Sequence, residues 1–443
     1  MNSRITIEHD GSPLVGSLEL DGAKHSFAHV LASAALHDEG LLSNVPNNVD
    51  SQSLMVGLRA IFENVAFDEA NATVAFSSPI DGAVEFSGQL VARSRSLFVL
   101  LPAALHHASE VTLEGLPTGC DIGQRPYQWY FDILETFGVA ISDSGSGAVV
   151  MSWVCRVPAR IDFTYPTMTG SVIAIAAAQV AGGVSHLRGC TVEPSCEEQV
   201  DAARANGAVV RGSLPSLTID AGSHNQPFEW LVGADRVHAV TLLTAGLLTR
   251  GEVTVKHPRS LRIPKFIDFC GHLGAEVDST DTSTTVRHPL VRELRACDLR
   301  TGCEPLFSTD WLPFAALLIA TRTEGTAELT DDVFPERLQF FHQLYEMGLG
   351  SARIGKVDLG GRSAVRAIIT GDPETVLRHR VFDRCPDIRG TSALVLSALI
   401  SDGPCTLEND FQLRRGYASL PSQLRELGLH NVQSTESRTA QRA

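Results

Sequence analysis

A nearly all-apolar helical run, a polar turn, a short strand and an amphipathic helix closing near a glycine recur along the chain at intervals of roughly 70 residues. The turn-and-strand anchors are residues 40–45, 109–113, 183–187, 251–255, 325–329 and 403–407, six copies in all. The run before each anchor, such as 171–181 or 311–321, is apolar on every side, which places it inside a domain. The segment after each anchor, such as 130–138, 266–274 or 420–428, is amphipathic, and its terminal glycine is a helix C-cap signal. Six units, each with an inner helix, an outer helix and short strands, predict an α/β architecture assembled by repetition, and six divides naturally into two domains of three. Chance recurrence of helix–turn–strand units in an ordinary α/β chain is the competing account, and periodicity alone leaves it open.

Size agrees with two domains, because 443 residues exceed the roughly 250–300 at which a single core stops growing. With 44% hydrophobic and 20% charged residues, the chain has the composition of a soluble globular protein and does not call for long disorder. A net charge of −15 disfavours nonspecific binding to nucleic acid or acidic membranes but leaves room for a local basic pocket. The nine cysteines are odd in number, scattered and never spaced C-x-x-C, so neither a zinc site nor a disulfide framework is indicated. A cytoplasmic protein is expected, since the N-terminus reads as a polar alternating strand and no stretch of about 20 apolar residues occurs.

Chemistry concentrates in one loop, Gly115-Leu116-Pro117-Thr118-Gly119-Cys120-Asp121-Ile122-Gly123-Gln124-Arg125-Pro126. Glycines bring backbone N–H groups close to a ligand, and a nearby guanidinium lowers a thiol's pKa and binds phosphate or carboxylate in two-pronged fashion. Lysine is rare, at 24, 256, 265 and 356 only, and Lys24 stands directly ahead of an inner helix, where the helix dipole favours anions. A solvated surface lysine would satisfy the same pattern. Equivalent helix openings carry Arg95, Thr169-Gly170, Arg236, Asp310 and Arg389, and a cleft lined by such arginines suits phosphate and carboxylate groups. Singly, each arginine is equally a surface ion pair. Asp310 fits either a general base toward a hydroxyl or a helix N-cap, and Asp387 carries the same ambiguity. His25 and His29 have metal-ligand spacing without a third ligand, so no metal is expected. G-x-G-x-x-G after a strand and G-x-x-x-x-G-K are both absent, which removes the usual nucleotide loops.

These residues resemble the enolpyruvyl transferases, and the branch acting on UDP-N-acetylglucosamine more than the shikimate-pathway branch. The likeness runs to about residue 430 and rests on Gly22-Ala23-Lys24, Gly119 to Pro126, Ser308-Thr309-Asp310, Glu336-Arg337, Asp387-Ile388-Arg389 and Arg415-Gly416-Tyr417. Cys120 separates the two branches. The resemblance implies a two-domain inside-out α/β barrel of six βαβαββ repeats. The first domain would span 22–232, the second 1–21 with 233–432, and 433–443 would be a disordered tail. It implies phosphoenolpyruvate as donor and no cofactor. Lys24, Arg125 and Arg415 would hold its phosphate and nearby oxygens, while Arg95, Arg337 and Arg389 would hold its carboxylate or order the closed cleft. Cys120 would deliver a proton or form a covalent adduct and be open to epoxides of the fosfomycin type. Asp310 would accept the acceptor hydroxyl's proton, with Lys24 and Arg415 completing the catalytic set.

Departures from the family fall on the acceptor side or on closure of the cleft. His25 replaces an asparagine that helps hold the acceptor sugar, a loop lysine is missing from Asn47-Asn48-Val49, and Arg414 replaces an aspartate. After Pro126 an acidic residue gives way to Tyr127-Gln128-Trp129, whose aromatics can stack on a base. The acceptor set is therefore read as His25, Pro126, Tyr127, Gln128, Trp129, Thr169, Gly170 and Asp310, and the acceptor as a uridine nucleotide. UMP, taking the group on its ribose 3′-hydroxyl as in nikkomycin- and polyoxin-type pathways, is favoured. UDP-N-acetylglucosamine is the alternative, and a noncatalytic nucleotide-binding regulator is an alternative of another class.

Overall fold

Each of the six anchors forms a strand, and each strand organises its own small sheet. The computed structural model describes residues 3–116, 126–145, 147–222, 224–259, 261–361, 363–382, 385 and 387–435. In one module the lead-in strand Ala83–Phe86 runs parallel to the anchor strand Glu110–Glu114, which pairs antiparallel with Ala148–Trp153, itself paired with Val139–Asp143. Arg160–Asp162, Val184–Arg188, Ser216–Asp220 and Val209–Ser213 repeat that order. Parallel neighbours need a crossover, and the apolar helix before each anchor supplies it; the hairpin after it needs only a tight turn.

The chain divides into two compact units, residues 21–116 with 126–234, and residues 3–20 with 235–435. Within the first, Phe228–Leu231 lies parallel to the anchor strand Glu39–Ser43, although it follows it by nearly 190 residues. Within the second, Val15–Glu19 lies parallel to Glu252–Lys256. Arg4–Glu8 sits between Cys405–Leu407 and Asn431–Thr435. That last pairing corrects the reading of 433–443 as disordered tail: Gln433, Ser434 and Thr435 are in register with Thr6, Ile5 and Arg4, while 436–443 lie outside the described residues. The remaining sheet is built on Thr323–Asp331, with Ser363–Gly371 and Ala352–Asp358 as its hairpin.

The inner helices are α1 (Lys24–Ala34), α2 (Leu101–His107, continuing a 3-10 turn Arg95–Leu100), α3 (Met168–Val180), α4 (Arg236–Leu248), α5 (Leu312–Arg322) and α6 (Ile388–Ser397). In α3 every residue from Gly170 to Val180 is buried, as its unbroken apolar sequence requires. Val172, Ile173 and Ile175 are fully enclosed, each worth about 1.5–3 kcal/mol in water-excluded area. The outer helices show the other periodicity: Pro264–Leu273 buries only Phe266, Phe269, Cys270 and Leu273, a three-to-four spacing on one face. Gly274 ends that helix at φ 95°, a left-handed value that a side chain would strain.

Candidate active site

In the unit containing 235–435, the openings of α5 and α6 place one carboxylate between two arginines. Ser308 caps the turn Thr309–Trp311 that leads into α5, accepting the Asp310 N–H, so Asp310 itself is not the cap. Its side chain is spent elsewhere. Arg337 Nη2 donates to Asp310 Oδ1 at 2.8 Å, and Arg389 Nη2 and Nε donate to Oδ2 at 2.9 and 3.2 Å. Asp387 resolves the other way: it caps α6 by accepting the Gly390 N–H at 3.0 Å, and both its oxygens accept from Arg337 Nη1 at 3.0 and 3.2 Å. Arg389, in the first turn of α6, is thereby fixed beside Arg337.

Both guanidiniums are buried, Arg337 at 2% and Arg389 at 5% exposure, a costly state for a charge without a partner. Burial alone disfavours the charged form. The carboxylates outweigh it, Asp387 and Asp310 at Arg337 and Asp310 at Arg389, and hold each arginine protonated above its ordinary range. Asp331, at the end of strand Thr323–Asp331, has its pKa raised by burial; it accepts the Thr309 hydroxyl and the Val333 and Phe334 N–H groups. Arg415 is buried on the turn after Phe411–Arg414, with Nη1 3.0 Å from Gln412 Oε1. Next to it a Cβ on Gly416 would come within 2.8 Å of Ile388 Cγ2 and 3.4 Å of Arg389 Nη1. The glycine thus lets this turn press on α6. Tyr417 lies under Arg389, its ring 5.5 Å from the guanidinium, and shares a 3.0 Å hydrogen bond with Thr241. Arg236 forms a 2.5 Å ion pair with Glu304, and with side chains 11% and 14% exposed the pair is largely enclosed and not a surface one.

In the unit of residues 21–234, Lys24 opens α1 and is not a solvated surface lysine. It is 7% exposed, and its Nζ lies 3.0 Å from Asp50 Oδ2. Gly22 comes before it because the backbone passes against Asn44: an added Cβ would lie 1.7 Å from that carbonyl oxygen. The segment lacking the family's lysine has a structural duty, since Asn48 caps helix Val49–Leu58 by accepting the Ser51 N–H. That helix carries Asp50 in its first turn. Asp50, like Asp331, escaped the sequence reading; an acidic residue just past an Asn cap was the available signal, but nothing in the sequence joined it to Lys24.

The other candidate residues of this unit, donor-side Arg95 and the acceptor set, divide. Arg95 Nη2 reaches Tyr130 Oη at 3.3 Å and the Pro126 carbonyl at 3.5 Å, so it packs against the segment after the cysteine loop. Tyr127 is 37% and Trp129 46% exposed; Trp129 lies 6.5 Å from Tyr165, whereas Gln128 is engaged with Asp132. Thr167, not Thr169, caps α3, accepting the Gly170 N–H, so Thr169 and Gly170 sit within the first turn. His25 stacks parallel on His29 at 6.1 Å, and buried His29 faces the Cys196 thiol, with burial holding its pKa down to about 3. Cys120 and Arg125 lie outside the described residues.

Comparison with known proteins gives the family. The pattern of EPSP synthase (3-phosphoshikimate 1-carboxyvinyltransferase) matches residues 9–424. UDP-N-acetylglucosamine 1-carboxyvinyltransferase of Anaeromyxobacter sp. (strain K) is 30% identical over 431 residues, covering 96% of this chain and 98% of the relative. The Listeria monocytogenes protein described as UDP-N-acetylglucosamine 1-carboxyvinyltransferase 2 is 26% identical over 432 residues, 97% of each chain. Among solved structures, the fold matches the enolpyruvyl transferase NikO from Streptomyces tendae with a TM-score of 0.83 at 23% identity, covering 98% of this chain and 99% of that one. It matches EPSP synthase from Acinetobacter baumannii with a TM-score of 0.71 at 14% identity, covering 98% and 100%. The matched pattern spans nearly the whole sequence, and the chain belongs to the EPSP synthase family of enolpyruvyl transferases, enzymes that transfer a carboxyvinyl group.

Proposed function

We propose that this enzyme moves the enolpyruvyl group of phosphoenolpyruvate onto a hydroxyl of a uridine nucleotide by addition and elimination, with the 3′-hydroxyl of UMP as acceptor. The observation that carries the reaction is the Asp310 carboxylate gripped by two buried arginines, with Arg415 on the turn that packs against α6. Such an arrangement suits a multiply charged anion and supplies a base beside it. In this reading Arg337, Arg389 and Arg415, with Lys24, Arg95 and Arg125, take the donor's carboxylate and phosphate oxygens. Cys120 protonates the methylene carbon, C2 becomes electrophilic, and the acceptor hydroxyl attacks as Asp310 takes its proton. The C2–O bond to phosphate then breaks as the C3 methyl gives up a proton, and that C–H pair restores the double bond. The guanidiniums stabilise the charge that develops, Arg337 in an orientation set before reaction by Asp387 and by burial.

UMP is favoured by what stands at the acceptor positions. The residue replacing the family's asparagine is a histidine stacked on a second histidine, the segment lacking the lysine caps a helix through Asn48, and Tyr127 and Trp129 present exposed aromatic faces. A nucleobase stacks on such faces at about 1–3 kcal/mol each. The second reading, UDP-N-acetylglucosamine, is favoured by the 30% identity to the Anaeromyxobacter protein. We also read each three-sheet unit as an inside-out α/β barrel of βαβαββ modules, supported by the apolar inner helices and the repeated sheet order. Phosphate release from phosphoenolpyruvate, measured separately with UMP and UDP-N-acetylglucosamine, tests the function. Release with UMP alone is expected; release with the sugar nucleotide alone selects the second reading, and release with neither overturns both.

A further inference from the structure

We propose that Asp310 is held as a weak base by Arg389 until the carboxylate of the donor replaces it, so that donor binding itself activates the base. This rests on the reading of phosphoenolpyruvate as donor. Both Asp310 oxygens accept charge-assisted hydrogen bonds, one from Arg337 and two from Arg389. Such bonds stabilise the ionised form and oppose uptake of a proton from an alcohol. A base so held has little drive to do its work.

The two grips are unequal. Arg337 is anchored from behind, since Asp387 holds its Nη1 with both oxygens and Thr309 Oγ1 lies 3.4 Å from its Nε. Arg389 turns the Nε–Nη2 edge of its guanidinium onto Asp310 Oδ2, and a ligand carboxylate would present the same acceptor geometry to that edge. Asp310 therefore occupies the place that an anionic ligand would compete for. Exposure separates the members: the side chains of Arg337, Arg389 and Asp387 are 2%, 6% and 4% exposed, that of Asp310 19%. Asp310 is the member an incoming molecule meets.

Charge supplies the drive. Arg337 and Arg389 face Asp310 and Asp387, with Asp331 also acting on Arg337 and Asp235 on Arg389. A further carboxylate entering this buried group adds negative charge beside Asp310, and a rise in proton affinity answers it. Asp310, having lost its Arg389 hydrogen bonds, is the carboxylate whose proton affinity rises. The rise stops short of full protonation: where Asp310 is still ionised, the acceptor's O–H bond breaks, its proton passes to Asp310, and its oxygen pair forms the bond to C2 as the C2–C3 π pair takes a proton at C3.

Titration calorimetry on the full-length enzyme with phosphoenolpyruvate, in buffers of different ionisation enthalpy, reads the protons bound with the ligand. The wild type is expected to take up more protons per phosphoenolpyruvate than Asp310→Asn, and Asp310→Asn to bind it on the order of tenfold tighter, one displaced ion pair being worth about 1.4 kcal/mol. Pyruvate should reproduce the wild-type uptake and inorganic phosphate should not. Arg389→Lys, which keeps the charge but loses the two-pronged edge, should bind phosphoenolpyruvate more weakly with a smaller uptake; this comparison stands if Asp310→Asn fails to fold. Equal proton counts in wild type and Asp310→Asn, or in wild type and Arg389→Lys, overturn the proposal while leaving the donor assignment intact. Absence of any phosphoenolpyruvate binding overturns both.

Discussion

At the scale of single residues, the side chains most exposed to misreading were charged ones at helix openings. Asp310 and Asp387 have the same sequence signature, an acid just before an apolar run, yet one is an arginine-bound carboxylate and the other a cap that also bridges to Arg337. Local propensity cannot separate them, because the difference lies in partners 27 to 79 positions away. Asp310→Asn should lower kcat by about 10²- to 10⁴-fold, the usual span for a lost acid–base group, as read by phosphate release at saturating substrates. Lys24 illustrates the energetic side. Asp50→Ala leaves an ammonium buried without its carboxylate and should cost about 3–5 kcal/mol in urea denaturation, whereas Lys24→Met with Asp50→Leu should recover most of that loss. A double variant as unstable as the single one would show that the pair is not what stabilises this corner.

At the scale of elements, the inner helices were legible because an apolar residue at nearly every position has only one place to go. Their caps were less so: Thr167, Ser308 and Asp235 do the capping at positions one to three residues from those the helix-opening pattern singled out. Gly416 shows how a loop is tied to a helix. Gly416→Ala must push the turn away from Ile388 and Arg389 and should cost about 1–3 kcal/mol, with weakened phosphoenolpyruvate binding as its second readout. His106 and His107 end α2, His37 lies just past α1, and His224 lies in the loop before Phe228–Leu231. His37, His106, His107 and His224 meet in one cluster, with His37 and His224 rings 4.9 Å apart and Arg156 Nη1 donating to His106 Nδ1 at 3.1 Å. Burial, aided by neighbouring cations and opposed by Asp38 near three of them, lowers all four pKa values, that of His106 to about 3. Folded values below the unfolded ~6.5 mean that their contribution is present above that pH and is lost as pH falls toward the folded values. Urea midpoints should therefore drop between about pH 6.5 and 4, and His106→Gln should flatten that slope.

At the scale of the whole molecule, the chain passes between its two units near residues 20 and 234, and strand membership ignores chain order. Residues 21–234 contain every strand of their three sheets, whereas residues 235–435 lack Arg4–Glu8 and Val15–Glu19. A fragment of 21–234 should melt cooperatively by circular dichroism, and one of 235–435 should do so only when residues 1–20 are supplied. Among the described residues no helix is long and apolar enough to cross a membrane, which fits the absence of a long apolar run in the sequence. The sequence by itself determined the sixfold alternation of inner helix, strand and outer helix, because burial periodicity is a local property written in consecutive residues. It also determined which charged residues carried the family likeness. Only the tertiary structure decided that Val15–Glu19 and Phe228–Leu231 complete sheets whose anchors lie far along the chain, that Lys24 is paired with Asp50, and that Asp310 lies between Arg337 and Arg389. Those pairings join residues from separate elements, the strands through ladder hydrogen bonds and the buried charges through partners that offset their desolvation, and no local pattern encodes either.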